Sequence, residues 1–388
     1  MGLCGRTITC WVSMLLSGLL VVGCGAGWAA EPSKVDCSRD DGAVAAEPAG
    51  HRAFGIFALT GDSARLAATV DDGKWSEVFV YDVATAKLLW QRALPSPASA
   101  MALSPGGHAL AVAYAVRRLG CPHVELFNGD DGQALPALED RTLLSSVAKD
   151  GAHAVVFGPD DALVAAALHN EIRVWNVSSG RNAFAIQPPG IDGPPGIEPI
   201  DELAFTPDGK RIAGISGRRP AVYVWELSAQ HLERALALRK FSGSFGGLVF
   251  NGDGTWLAAG STGPIALWNT RTGALMGEIA KPEAGPIGPI AFLSDMKLVV
   301  NGPGQLELWD VSKRVPARDP DWSSSGTVDT AFVVRSRDLV GIVSNSAWDS
   351  EVSKSGQIRL VAEPSGHTIA SLDVPGRPAT AGPGTGTP

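Results

Sequence analysis

From Phe54 onward, short apolar runs alternate with polar breaks rich in glycine and proline. Seven segments share one grammar, an apolar run, a tight break and a second apolar run. They are FGIFALTGDSARLAATV, AMALSPGGHALAVAY, HAVVFGPDDALVAAAL, ELAFTPDGKRIAGIS, GLVFNGDGTWLAAGS, PIAFLSDMKLVVNG and TAFVVRSRDLVGIVS. The runs are too short for helices of ordinary length and read as paired strands. The breaks Ser104-Pro105-Gly106-Gly107, Thr206-Pro207-Asp208-Gly209 and Asn251-Gly252-Asp253-Gly254 have a local reason to turn. Proline presets φ and glycine accepts positive φ, so the chain reverses between antiparallel strands.

A second signature follows each of these segments, ending in six of the seven units with an aromatic and a short polar residue. It reads VFVYDVATAKLL around Asp82, VELFNGDDGQAL around Asn128, IRVWNVSSGRNA around Asn176 and VYVWELSAQHLE around Glu226. It continues with IALWNTRTGALM around Asn269, LELWDVSKRVPA around Asp310 and, without the aromatic, IRLVAEPSGHTI around Glu363. Successive spacings are 46, 48, 50, 43, 41 and 53 residues, the period of a four-stranded propeller blade. A turn such as Ser179-Gly180 or Thr272-Gly273 then leads into a fourth strand.

The expectation is an all-β chain, a seven-bladed β-propeller of four-stranded antiparallel blades over residues 51–374. One blade cannot bury both of its faces, so the array must stack, and closure into a ring removes its end faces. The runs AVAY, LVAAAL and LVV, apolar at nearly every position, are expected innermost. The seventh unit is expected to supply its own outer strand, His367–Val374, and the segment Ala43–Ala53 is the spare candidate for a lock.

The turns of the SPDG kind and the steps Trp175-Asn176, Trp225-Glu226, Trp268-Asn269 and Trp309-Asp310 resemble the WD40 repeat family across residues 51–374. Only Trp309-Asp310 is a literal Trp-Asp, no Gly-His pair regularly precedes the first strand, and the structural Asp before the third strand is missing from most units. The family's hydrogen-bonded tetrad is therefore not carried over. The same pattern admits related TolB-like and quinoprotein amine dehydrogenase-like propellers. The resemblance implies a binding platform.

The N-terminus changes where such a protein would work. One cation, Arg6, precedes an apolar run from Trp11 to Val22, a signal-type h-region too short to span a bilayer comfortably. Val21-Val22-Gly23-Cys24 resembles a lipobox, giving a signal over residues 1–23, lipidation at Cys24 and a linker over 24–50. Gly27-Trp28-Ala29 suits ordinary signal peptidase instead. Either exit places the protein outside the cytoplasm, in the periplasm or anchored to a membrane by lipid alone. Of five cysteines, Cys4 and Cys10 leave with the signal, and with Cys24 acylated only Cys37 and Cys121 remain, as a disulfide or as two thiols. The tail 375–388 holds almost no apolar residue and is expected to be disordered.

Charge excludes one class of partner. The net charge is −8, or −9 once Arg6 is removed, and no basic cluster exceeds a pair. Nucleic acid, which needs a concentrated basic face, is not an expected partner.

The loops between second and third strands should share one face, where function commonly sits. These are Asp71–Glu77, Val116–His123, His169–Glu171, Gly217–Pro220, Ser261–Pro264, Asn301–Gly304 and Ser344–Gly356, with DDGKWSE of the first unit and SNSAWDSEVSKSG of the seventh read as long loops. Ring closure would set Asp71, Asp72 and Trp75 beside Trp348, Asp349 and Glu351, a tryptophan–acid surface suited to a protein partner or to sugar stacking. Arg117, Arg118, Arg218 and Arg219 share that face. Each of these residues has a plainer role as local packing or as a solvated hairpin tip.

No GxSxG, HExxH or P-loop pattern occurs, and the seven histidines scatter among the units. Acids such as Glu202 are scattered too. The reading is a monomeric, non-catalytic scaffold for unidentified envelope proteins, with no cofactor and no metal. The alternative is a small-ligand or glycan binder, or a subunit of a periplasmic redox complex.

Overall fold

The computed structural model describes residues 53–60, 64–71, 76–116, 121–139, 152–168, 171–188, 200–216, 221–237, 245–261, 264–279, 288–294, 296–302, 305–316, 330–334, 339–344, 356–362 and 368–374. Among them the regular structure is entirely β. Sheet 1 holds β1 (Ala53–Leu59), β2 (Arg65–Asp71), β3 (Ser76–Asp82) and β4 (Lys87–Ala93). Sheet 2 holds β5 (Ala98–Leu103), β6 (Ala109–Val116) and β7 (Cys121–Asn128). Sheet 3 holds β8 (Ala154–Phe157), β9 (Leu163–Ala167), β10 (Ile172–Asn176) and β11 (Asn182–Ile186). Sheet 4 holds β12 (Glu202–Phe205), β13 (Arg211–Ser216), β14 (Ala221–Glu226) and β15 (His231–Ala237). Sheet 5 holds β16 (Phe245–Phe250), β17 (Trp256–Ser261), β18 (Ile265–Asn269) and β19 (Leu275–Ile279). Sheet 6 holds β20 (Gly288–Ser294), β21 (Lys297–Gly302), β22 (Gln305–Asp310) and β23 (Val315–Pro316). Sheet 7 holds β24 (Thr330–Val334), β25 (Leu339–Ser344), β26 (Gly356–Ala362) and β27 (Thr368–Val374). Within each sheet, strands follow chain order and neighbours run antiparallel.

The first signature works through a buried side chain at its turn. Thr60, Ser104, Thr206 and Asn251 are buried, and each side-chain oxygen accepts the N–H five residues on. The donors are Arg65 (3.0 Å), Ala109 (3.2 Å), Arg211 (3.0 Å) and Trp256 (2.8 Å). A polar residue there closes the hairpin and satisfies an amide that the tight turn would leave open. Gly107, Gly209 and Gly254 carry the positive φ these turns need, and Asp161 carries it in sheet 3.

The second signature is a turn acceptor. Asp82, Asn128, Asn176, Glu226, Asn269 and Asp310 each accept backbone N–H groups two or three residues on, including those of Thr85, Asp130, Ser179, Ala229, Thr272 and Lys313. Four residues beyond each stands a left-handed residue: Ala86, Gly132, Gly180, Gln230, Gly273 or Arg314. The polar half of the aromatic–polar step thus holds the turn, while the aromatic half packs between sheets.

Packing is sequential. Val78, Val80 and Trp90 of sheet 1 meet Met101, Leu110 and Phe127 of sheet 2 in one cluster. The opposite face of sheet 2, with Ala111, Ala113 and Leu126, meets Phe157, Val164 and Trp175 of sheet 3. Sheet 3 meets sheet 4 through Ile172, Val174, Ile212 and Trp225, and sheet 4 meets sheet 5 through Ile215, Val224, Phe250 and Trp268. Sheet 5 meets sheet 6 through Ile265, Leu267, Leu298 and Trp309. The remaining face of sheet 1, with Leu66, Phe79 and Tyr81, shares its cluster with Leu372 of β27. First strands contact one another in succession, β1 with β5 and onward to β20 with β24, so their edges converge.

Three expectations change. Sheet 2 has three strands rather than four. A fourth begins, with Asn128 N–H donating to Gln133 O (2.7 Å) and Leu135 N–H to Leu126 O (2.8 Å), but it stops at Pro136, which has no N–H for the ladder. The chain crosses to sheet 3 instead, where Glu139 N–H donates to Gly180 O (2.7 Å) and Trp175 Nε1 to Glu139 O (3.1 Å). Gly180 permits this, since a Cβ there would lie 2.3 Å from Ala137 O.

The runs AVAY, LVAAAL and LVV lie in or run just past the second strands β6, β9 and β21, not the converging first strands. A second strand is flanked by strands on both edges and covered on both faces, so it needs the most apolar sequence.

The first inter-strand loop is not long. Asp71 pairs with Ser76 and Val70 with Glu77, leaving only residues 72–75 between the strands. Likewise Val116 pairs with Cys121 and Tyr114 with His123 within sheet 2. β27 supplies the outer strand of sheet 7 close to the expected bounds, and β24 to β27 all come from the C-terminal part of the chain. The segment proposed as a lock lies outside the described residues except for Ala53, the first residue of β1.

Candidate functional site

Within each sheet the antiparallel registers put the end of the second strand and the start of the third beside the start of the first strand. The connections between sheets meet each sheet there. Leu94 N–H donates to Ser76 O (2.8 Å) as the chain leaves sheet 1, and Ala98 N–H donates to Ser76 Oγ (2.8 Å) as it reaches sheet 2. His153 N–H donates to Ala167 O (2.9 Å) and Asp201 N–H to Ile215 O (2.8 Å), so the chain arrives at sheets 3 and 4 by the same end.

Of the proposed partner-binding residues, Asp71 falls among the described ones. It is the last residue of β2, and its carboxylate accepts a hydrogen bond from the hydroxyl of Ser76, which is fully buried. Asp71 thereby helps hold the exit from sheet 1. Asp72, Trp75, Arg117, Arg118, Arg218, Arg219, Trp348, Asp349 and Glu351 lie outside the described residues, as do Cys24 and Cys37. Their places in the chain are bracketed by strand ends: 72–75 between β2 and β3, 117–120 between β6 and β7, 217–220 between β13 and β14, and 345–355 between β25 and β26. Cys121 is the first residue of β7.

Two charged groups at this end were not singled out as sites by sequence. Arg173 of β10 is 5% exposed and pairs with Glu171 in the turn before it. Glu202, the first residue of β12, has its carboxyl pushed up to about 7, first by burial and second by the neighbouring Asp201 charge, against the opposing pull of the Leu248 N–H. An acid opening an otherwise apolar strand was the available signal.

Elsewhere, a groove of about 460 Å³ runs between sheets 1 and 2, lined by Trp90, Gln91, Arg92, Asp131, Gly132, Gln133 and Ala134. It lies where sheet 2 lacks its fourth strand. Its floor is tied by Trp90 Nε1 to Gly129 O (3.0 Å) and Arg92 to Gly132 O (2.7 Å), with the guanidinium 4.9 Å from the Phe127 ring centroid. Among the described residues no three His, Cys, Asp or Glu side chains are grouped to hold a metal ion, and no helix is long and apolar enough to cross a membrane. No protein-family model matches the chain, and no curated protein matches it.

Proposed function

We propose that the seven sheets are the blades of a closed propeller of the WD40-like kind, acting outside the cytoplasm as a non-catalytic platform for an envelope protein. Leu372 carries the closure. A residue of the last strand that is fully buried against sheet 1 is what a ring requires and an open stack lacks. The five other shared cores support the same reading.

The end that gathers the second-to-third strand turns is the binding face. Its turns range from the two residues 303–304 to the eleven residues 345–355, on strands fixed by packing, so recognition can vary while the frame stays rigid. In a closed ring the first and last of these loops are neighbours, bringing Trp75 and Asp72 near Trp348 and Asp349. The mature chain starts at an acylated Cys24, which tethers the ring to a membrane.

The test is capture from detergent-solubilised envelopes with the full mature chain as bait. Wild type should retain a specific protein that Trp75→Ala/Trp348→Ala loses. An unchanged set of captured proteins removes the site. Heat on titration with oligosaccharides, abolished by the same pair, would favour a glycan binder instead.

A further inference from the structure

The groove between sheets 1 and 2 differs from the corresponding place between sheets 4 and 5. There Arg234 stands opposite Val224, in the register that Trp90 takes opposite Val80. Its guanidinium is engaged by the turn of sheet 5, with Nη1 donating to Thr272 O (3.2 Å) and Nη2 to Arg271 O (2.8 Å). Between sheets 1 and 2 an indole replaces that guanidinium. Gly132 presses on it so closely that a Cβ there would lie 2.6 Å from the ring, and the indole N–H is held by Gly129 O (3.0 Å). Trp90 is thereby a fixed apolar floor.

The polar groups around that floor keep open bonding capacity. Arg92 donates from Nη1 to Gly132 O and lies 4.9 Å from the Phe127 ring centroid, with Nε and Nη2 bonded to none of the described residues. Asp131 Oδ1 accepts the Gln133 N–H (2.9 Å), and Oδ2 is left over. The side-chain amides of Gln91 and Gln133 bond to none of the described residues, and all four side chains belong to exposed residues. Together they carry no net charge and offer donors beside acceptors. Sugar hydroxyls, each a donor and an acceptor at once, need that mixture.

We propose that this groove is a binding site for a neutral saccharide, with Arg92, Asp131, Gln91 and Gln133 bonding its hydroxyls and Trp90 meeting its C–H surface. At about 460 Å³ the groove falls within the usual range of small-ligand sites, about 300–1,000 Å³. The site is separate from the loop face, since Asp131 and Gly132 follow the end of β7 that lies away from residues 117–120.

Maltose and cellobiose, titrated into the full mature chain and followed by amide NMR, test the site. Saturable shifts at Arg92 and over residues 131–134 are expected for at least one sugar, with a Kd of about 1–10 mM. Gln91→Ala/Gln133→Ala removes no bond among the described residues. Its thermal midpoint should match wild type while binding weakens roughly tenfold. Trp75→Ala/Trp348→Ala should leave the shifts unchanged, which separates this site from the loop face. Lack of saturable shifts with both sugars overturns the proposal, as does binding that the glutamine pair does not weaken. Shifts with the zwitterion diglycine and with neither sugar overturn it as well.

Discussion

Leu372 in the last strand and Phe79 in the third strand belong to one buried cluster, at 0% and 1% exposure. Nearly the whole described chain separates them in sequence. A shared core of that span places a residue of the last strand among the apolar side chains of the first sheet.

Leu372→Ala should therefore destabilise the whole molecule rather than fray its end. The expected cost is about 2–5 kcal/mol, the range for a fully buried leucine. Urea unfolding followed by tryptophan fluorescence would show a shifted midpoint with an unchanged slope. A change of a few tenths of a kcal/mol or less, as for a frayed terminus, would count against closure.

The six left-handed turn residues rank one another. Ala86→Gly and Gln230→Gly should each stabilise by roughly 0.5–1 kcal/mol, since glycine removes the cost of positive φ. The reverse change depends on neighbours. At Gly180 a Cβ would meet the Ala137 carbonyl at 2.3 Å, whereas at Gly273 the nearest atom is 3.0 Å away in the flexible Arg234 side chain. Gly180→Ala should lower the thermal midpoint clearly more than Gly273→Ala.

The hairpin-closing oxygens predict a polar-to-apolar cost. Thr206→Val preserves shape but leaves the Arg211 N–H without its acceptor, and Thr206 is 3% exposed. A loss of about 1–3 kcal/mol is expected by chemical denaturation. Thr85→Val on an exposed turn, where the hydroxyl only assists Asp82, should cost less.

Stability should fall on both sides of a plateau. Glu202 is raised from 4.5 to about 7, so the folded state binds its proton more tightly than the unfolded chain. Its contribution is complete below pH 4.5 and is lost as pH rises through about 7. Asp310 is lowered from 3.8 to about 2, chiefly by the Ser312 hydroxyl and the Lys313 N–H. Asp82 and Asp253 are lowered by their Thr85 and Thr255 bonds, and these contributions are lost as pH falls below 3.8. Thermal midpoints in Glu202→Gln should keep the acid limb and lose the alkaline decline. An unaltered alkaline limb in the variant would refute that assignment.

The hairpins were legible because their causes are local. Thr206 and Arg211 are five residues apart, and Asn269 closes its turn onto Thr272. The aborted fourth strand of sheet 2 was less legible. The stretch after Asn128 reads like its counterparts, and Pro136 marks the departure only once Gly180 is known to receive it. The run Asp71–Glu77 read as a long loop, yet cross-strand pairing took all but four of its residues.

By itself, the sequence determined the strands, their pairing within each sheet and the turn chemistry, since each depends on residues a few positions apart. Tertiary structure alone decided which faces share a core, that Leu372 would be buried beside Phe79, and that Glu202 would lose water while gaining the Leu248 N–H. The physical reason is that dehydration of an apolar face or a carboxyl group is imposed by whatever packs against it, and here those neighbours come from other sheets.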